Sequence, residues 1–256
     1  YPEIDEVYDA LSEWTGFSTD ELLFTDGADG ALFRVFATYV SEGDEVVIVT
    51  PSYAMYPVYC DMFGAVKREL TFDENLSLPF EKILNEAKPK TRMIALVNPN
   101  QPIECFFNLD QMRQLAQQCA KHNIILLVDA AYDHFCKKSA TPLIREFDNV
   151  IIARTFSKAF GLAGLRIGYL IAQKNLCTAL RALKPIYEIN HLNAAIVTYF
   201  LKKNPTVMKN YVKDVDAGRE ILKKFFEQRG CNVHGKHSNT ILVGLPKKIS
   251  AAKVTS

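Results

Sequence analysis

The amino-acid sequence predicts an α/β fold in which helices cover both faces of a mostly parallel sheet. Short runs rich in β-branched residues recur as far as residue 172, helical patterns lie between them, and polar residues follow the ends of the runs. Because the runs are apolar at almost every position, we expect strands that are buried on both faces, as in parallel sheets between helical layers. The expected architecture is a three-layer α/β/α domain.

The elements of this domain can be assigned in chain order. A helix is expected at 31–40 and another at 109–122, where apolar residues recur on one face and Asp110 suits the first turn. The predicted strands cover residues 45–50, 93–97, 124–128, 149–154 and 167–172. We assign residues 1–185 to this single large domain.

After the large domain the pattern changes to long amphipathic helices. These are predicted at 194–203 and 205–229, and Gly230 is placed to end the second helix. A strand at 240–245 follows. Because one strand and a short tail do not form a domain, we expect residues 186–256 to contain interdomain helices and the start of a small, incomplete α+β domain.

Composition excludes several classes of function. The 30 Lys and Arg residues balance 29 Asp and Glu residues, and no long run of one charge appears, so neither nucleic acid nor a membrane surface is an expected partner. No apolar stretch is long enough to span a bilayer. The six cysteines have the spacing of neither a zinc site nor a disulfide framework. We therefore expect a cytoplasmic protein without a bound metal.

Polar clusters follow neighbouring predicted strands at 98–101, 129–132 and 155–158. Since the carboxyl ends of parallel strands meet at one edge of a sheet, and ligands of open α/β sheets bind there, these clusters predict an active site.

The residue types in these clusters indicate a site for pyridoxal 5'-phosphate (PLP). The Lys158 amine can form a Schiff base with an aldehyde, and Asp129 can keep a pyridine nitrogen protonated. The Arg166 guanidinium suits a phosphate dianion, and Thr155 and Ser157 offer hydroxyls to the same group. Each residue alone also fits a structural role, such as a surface lysine, a capping aspartate or a turn serine, so the prediction depends on the whole set.

Further residues extend the predicted cofactor site. Tyr132 follows Asp129 at a spacing that lets its hydroxyl reach the phenolic oxygen of the cofactor. Ala28 and Asp29 lie where small residues open a helix and leave backbone N–H groups free for phosphate. Tyr53 can stack on the pyridine face, although a core aromatic fits equally well.

Segment 157–166 resembles the lysine segment of the fold-type I, class I and II PLP-dependent aminotransferases, and within them that of the histidinol-phosphate aminotransferases. The residues at 27–29, 51–56 and 129–132 are similar to their phosphate-loop, ring-stacking and aspartate motifs. The resemblance implies a PLP-dependent homodimer with its active site at the subunit interface. It also implies that Tyr1 reaches the phosphate bound by the neighbouring subunit.

The chain departs from the family pattern at several positions. Gln101 stands where an asparagine hydrogen-bonds the phenolic oxygen of the cofactor, so the amide is kept on a side chain longer by one methylene. Gly30 and Ala130 replace two glutamates. The chain offers no candidate for the C-terminal arginine that clamps the substrate carboxylate.

The resemblance implies an aminotransferase of the histidinol-phosphate type. It would transfer an amino group between an amino donor, such as glutamate, and a keto or aldehyde acceptor, including phosphorylated ones. Two alternatives stay open. A PLP-dependent decarboxylase of an O-phospho amino acid would differ in which α-carbon bond stands perpendicular to the ring. A non-catalytic protein with the same fold is the other alternative, given the change at Gln101.

Overall fold

The computed structural model describes residues 2–136, 139–204, 206–246, 249 and 251. The strands are β1 (Leu22–Thr25), β2 (Glu45–Thr50), β3 (Val66–Thr71), β4 (Thr91–Val97), β5 (Ile125–Asp129), β6 (Val150–Thr155), β7 (Gly168–Ala172), β8 (Asn232–His234) and β9 (Leu242–Gly244). The helices are α1 (Asp5–Thr15), α2 (Gly27–Tyr39), α3 (Met55–Met62), α4 (Phe80–Leu84), α5 (Leu109–Lys121), α6 (Leu143–Glu146), α7 (Lys174–Ala182), α8 (His191–Lys202) and α9 (Thr206–Glu227).

The main sheet has seven strands in the order β1-β7-β6-β5-β4-β2-β3. The strands from β3 through β6 pair in parallel, whereas β7 runs antiparallel to both β6 and β1. The prediction of a mostly parallel sheet is therefore confirmed. The carboxyl ends of β4, β5 and β6 lie side by side, which brings the polar segments after these strands to one edge.

Helices bury both faces of this sheet. Along β4, Ile94 and Leu96 belong to one apolar cluster, while Met93 and Ala95 belong to a second cluster on the opposite face. Helices α1, α5 and α8 contribute to the first cluster, and α2, α3 and α7 contribute to the second. Because every second strand residue points to the same face, strands apolar at all positions need this cover on both sides.

The sequence did not predict two strands of the main sheet. Strand β3 is an edge strand whose Lys67, Arg68 and Glu69 are at least partly exposed, so it has no apolar run to recognise. Strand β1 has four residues, and within the described part of the chain β7 is its single neighbour. So short a run gives no periodic pattern in the sequence, and local residues therefore do not predict this strand.

Helix α2 begins at Gly27 rather than at the predicted residue 31. Gly27 and Gly30 in its first turn are weak helix formers, but tertiary packing decides the conformation there. A Cβ atom at Gly168 would lie 2.5 Å from the carbonyl carbon of Gly27 and 2.8 Å from the nitrogen of Ala28. The glycine in β7 thus lets the start of α2 lie directly against the sheet.

The C-terminal part contains the predicted long helices and a two-stranded antiparallel sheet of β8 and β9. Only the last strand was predicted, and residue 205, the predicted start of the second helix, lies outside the described residues. Among the residues that the structure covers, none of the helices has the length and apolar character needed to cross a bilayer.

Candidate active site

A cavity of about 540 Å³ lies at the edge of the sheet where β4, β5 and β6 end. All but one of the cofactor-site residues predicted from the sequence line this cavity: Ala28, Asp29, Tyr53, Gln101, Asp129, Tyr132, Thr155, Ser157, Lys158 and Arg166. The exception is Tyr1, which lies outside the described residues. Residues far apart in sequence are thus brought together by the parallel arrangement of the strands.

Lys158 and Asp129 reach the cavity from neighbouring strands. Asp129 is the last residue of β5, and Lys158 follows the end of β6. The Lys158 Nζ atom lies 5.3 Å from the centroid of the Tyr132 ring, within the range of a cation–π contact. An amine and a carboxylate are therefore both available to one bound molecule.

The Asp129 carboxyl is buried, with 4% of the residue exposed. Burial disfavours the charged form and raises its pKa to about 6, although hydrogen bonds and the charge of Lys158 oppose the shift. The hydrogen bonds come from the Ala131 N–H at 3.0 Å and the Tyr56 hydroxyl at 3.5 Å. Such a carboxyl would be stabilised in its ionised form by a cationic group bound in the cavity.

The start of α2 and Arg166 form an anion site at another part of the cavity wall. Gly27 has a φ of 73°, and a Cβ atom there would lie 3.0 Å from Nη2 of Arg166. A side chain at Gly27 would therefore displace the guanidinium. Free N–H groups at a helix N-terminus and a guanidinium fork are both suited to phosphate.

Arg166 itself has a left-handed backbone conformation, with φ 50° and ψ 53°. A non-glycine residue in this region costs on the order of 1 kcal/mol. Arg166 directly follows the short 3₁₀ turn at 163–165. The strain occurs where the guanidinium reaches the anion site, as is common for residues that bind ligands.

The hydroxyls after β6 have different environments. The Thr155 hydroxyl oxygen accepts the Ser157 N–H at 3.0 Å, which closes the turn before Lys158. The Ser157 Oγ atom is buried and has no hydrogen-bond partner among the described residues. A buried polar atom without a partner is rare, and this one lies in a residue that lines the cavity.

Two tyrosines hold the Asp29 carboxylate at the first turn of α2. The Tyr53 hydroxyl donates to it at 3.1 Å, and the Tyr59 hydroxyl makes a short hydrogen bond to the same oxygen. Partial burial and the neighbouring Asp29 charge raise the pKa of Tyr53 to about 12, so its hydroxyl stays protonated. Tyr53 is thereby anchored at the cavity wall with 40% of its surface exposed.

Sequence reasoning missed part of the cavity wall. Ser52 and Ala54 flank Tyr53, and Thr240, Ile241 and Leu242 come from the C-terminal segment. The Thr240 hydroxyl donates to Oε1 of Gln101 at 2.7 Å. Nothing in the local sequence around Thr240 predicts this contact, because it depends on how the C-terminal segment packs against the loop after β4.

The residues around the cavity fit PLP. Asp129 suits a pyridinium nitrogen, Lys158 suits an aldehyde, and the anion site suits a phosphate. Ser157 Oγ and Gln101 Nε2 are buried donors without partners among the described residues, so polar atoms are available for a bound group. Within the described part of the chain, no group of three or more His, Cys, Asp or Glu side chains is arranged to hold a metal ion.

Comparison with known proteins agrees with this site. The model of the family "Aminotransferase class I and II" matches residues 1–255. The histidinol-phosphate aminotransferase of Ruminiclostridium cellulolyticum is 31% identical over 248 residues, which are 95% of this chain and 69% of that protein. The enzyme of the same name from Thermoanaerobacter pseudethanolicus is 32% identical over 246 residues, covering 94% of this chain and 68% of its own length.

A solved structure shows the same fold. The histidinol-phosphate aminotransferase of Sinorhizobium meliloti, crystallised with PLP, superposes with a TM-score of 0.86 at 22% identity. The match covers 95% of this chain and 67% of that one. Since the family model matches almost the entire sequence, this chain belongs to the class I and II aminotransferases, enzymes that depend on PLP.

Proposed function

We propose that this protein is an aminotransferase of the histidinol-phosphate type. It transfers an amino group between an amino donor, with glutamate as the expected donor, and a phosphorylated keto or aldehyde acceptor. The names of relatives with more than 30% identity support the substrate class. The observation that carries the proposal is the placement of Lys158, Asp129 and Arg166 around one cavity.

The cofactor supplies an electron sink that stabilises negative charge at the substrate α-carbon. Asp129 would maintain that capacity by holding the pyridine nitrogen protonated. Its buried carboxyl, with a pKa raised to about 6 by burial, gains a cationic partner when the ring binds. Lys158 takes the proton from the substrate α-carbon, and the Tyr132 ring beside its Nζ atom helps to hold the amine in place.

The remaining residues bind and orient the cofactor. The phosphate would be held by Arg166, by the hydroxyls of Thr155 and Ser157, and by the N–H groups of Ala28 and Asp29 at the start of α2. Tyr53 would cover one face of the ring. The Tyr132 hydroxyl and the Gln101 amide would donate toward the phenolic oxygen.

We also propose a cytoplasmic homodimer with shared active sites, in which Tyr1 of one subunit reaches the phosphate held by the other. The resemblance to the aminotransferase family supports this assembly. Residues 1–185 would form the cofactor domain, and residues 186–256 would contain interdomain helices and the start of a small domain. The partners are small amino and keto substrates.

The proposal is tested with the purified protein, PLP, histidinol phosphate as the amine and 2-oxoglutarate, the keto acid that becomes glutamate, as the acceptor. The wild-type protein should develop the visible absorbance of a Lys158-bound cofactor and transfer an amino group. Replacing Lys158 by Ala should abolish that absorbance and lower turnover by at least about 10³-fold, because the proton carrier is lost. Lys158→Arg, which keeps the charge without a usable amine, should behave like Lys158→Ala.

Lys174→Ala provides the matched control, because Lys174 pairs with Asp20 on the surface and should leave turnover unchanged. Near-wild-type transamination by Lys158→Ala would overturn the proposed role of Lys158. Release of carbon dioxide from an O-phospho amino acid, without formation of a keto acid, would instead select the decarboxylase alternative.

A further inference from the structure

The loop that follows β4 is docked onto the C-terminal segment 236–242 at two points. The carboxylate of Glu104 accepts the backbone N–H groups of Lys236 at 2.6 Å and His237 at 2.7 Å, and contacts Nδ1 of His237 at 2.9 Å. Three residues earlier in the loop, Gln101 accepts the Thr240 hydroxyl at 2.7 Å. This docking places Thr240 in the wall of the cofactor cavity.

The two ends of the Gln101 amide have different environments. Its Oε1 atom is bound by Thr240, whereas its Nε2 atom is buried and has no hydrogen-bond partner among the described residues. An unpaired buried N–H group is unfavourable, because it has lost its hydrogen bonds to water without gaining another. The arrangement is therefore explained if a group bound in the cavity accepts this N–H.

We propose that Thr240 is a positioning residue that orients the Gln101 amide for the cofactor. By binding Oε1, its hydroxyl leaves the N–H group of Gln101 to donate to the phenolic oxygen of PLP. The reverse orientation of the amide would present an acceptor to an electron-rich oxygen. This inference rests on the proposed function and assigns a role to a residue of the C-terminal segment.

The extra methylene of Gln101 explains why such support is needed. A glutamine has one more rotatable bond than an asparagine, so its amide loses more conformational freedom when it is fixed. A hydrogen bond at the far end of the side chain restricts that bond before the cofactor arrives. Preorganisation of this kind increases affinity without adding a contact to the ligand.

The position of Thr240 is itself fixed by α9. Thr240 Oγ1 lies 3.0 Å from Oγ of Ser238, and the Thr240 N–H donates to the same oxygen at 3.2 Å. Ser238 is fully buried, and its carbonyl oxygen accepts Nη1 of Arg219 at 2.6 Å. A chain of hydrogen bonds thus connects a helix of the C-terminal part to the cofactor cavity.

The test compares Thr240→Val with Thr240→Ser in PLP-loaded protein. The readouts are the dissociation constant for PLP and the midpoint of the pH titration of its visible absorbance. Negative charge on the phenolic oxygen would stabilise the proton on the Schiff-base nitrogen of Lys158. A hydrogen bond donated to that oxygen weakens this stabilisation, so losing the donor favours the protonated Schiff base. Thr240→Val should raise the midpoint by about half a pH unit or more and weaken PLP binding severalfold.

Thr240→Ser keeps the hydroxyl and should retain the wild-type midpoint. Thr178→Val is the matched control, because the Thr178 hydroxyl bonds only the Lys174 carbonyl among the contacts described, on the surface of α7. A thermal melt of each variant checks that the fold is intact.

A double-mutant cycle tests whether Thr240 acts through Gln101. In a Gln101→Leu background, Thr240→Val should cause no further shift of the midpoint. An unchanged midpoint in Thr240→Val, or equal shifts in both backgrounds, would overturn the inference while the proposed function stands. A wild-type protein that never takes up PLP would instead overturn the proposed function, and this inference with it.

Discussion

Asp129 illustrates how one side chain can favour ligand binding at the expense of stability. Burial raises its pKa from 3.8 to about 6, so the folded chain disfavours the ionised form. In the cofactor-bound protein the pyridinium would offset this cost. The sequence predicted the aspartate from its position after a strand, but its burial depends on Tyr56 and on the neighbouring strands, which a local pattern cannot reveal.

Replacing Asp129 by Asn should stabilise the apoprotein at neutral pH and impair the enzyme. The folded-state pKa is raised, so the favourable contribution of this group is complete below about pH 4 and is lost as the pH rises through 6. At pH 8 the Asp129→Asn apoprotein should therefore be more stable by about 3 kcal/mol in urea unfolding. The difference should vanish near pH 4.

In activity assays the same variant should bind PLP but lose roughly 10²-fold or more in turnover, because an amide cannot hold the pyridine nitrogen protonated. Equal stability of wild type and variant at both pH values would show that Asp129 is not the buried, electrostatically strained group described above.

The contact between α2 and β7 shows how elements cooperate in forming the anion site. A Cβ atom at Gly168 would lie 2.5 Å from the carbonyl carbon of Gly27 and 2.6 Å from the carbonyl oxygen of Arg154. Backbone atoms cannot move aside as a flexible side chain can. The start of the helix and the strand must therefore shift apart if any side chain is introduced.

We expect Gly168→Ala to destabilise the fold by about 2–3 kcal/mol and to weaken PLP binding by roughly tenfold. Gly218→Ala is a suitable control, since a Cβ atom there meets nothing within 4 Å and the residue lies inside α9. That control should stabilise the protein by about 0.5–1 kcal/mol. Chemical unfolding and PLP titration measure both effects, and wild-type affinity in Gly168→Ala would contradict the assigned role of this contact.

The sequence predicts those features of the structure that are determined by residues close together in the chain. Buried parallel strands were recognised because they are apolar at every position, and the site followed from the polar residues at their ends. Strand β3 was missed because an exposed edge strand carries charges. The left-handed conformation of Arg166 and the contact of Thr240 with Gln101 were missed because tertiary packing determines both.

At the scale of the whole molecule, Glu104 connects the C-terminal segment 236–242 to the loop that follows β4. Its hydrogen bonds with Lys236 and His237 outweigh the effect of its partial burial and lower its pKa below 4.5. For a carboxyl with a lowered pKa, the stabilisation is present above the unfolded value and is lost as the pH falls through the folded value. Segment 236–242 should therefore stay bound to the loop after β4 from weakly acidic to alkaline pH.

Glu104→Gln should release this segment without unfolding the sheet, because an amide accepts hydrogen bonds less strongly than a carboxylate. Hydrogen bonds to a charged group contribute about 1.5–3 kcal/mol, so amide exchange across residues 232–244 should accelerate roughly 10- to 100-fold at pH 7. Exchange in β4 and β5 should stay unchanged. Glu74→Gln, at an exposed turn, should have no effect on either region. Unaltered exchange across residues 232–244 in Glu104→Gln would mean that the segment is held by its packing and not by this carboxylate.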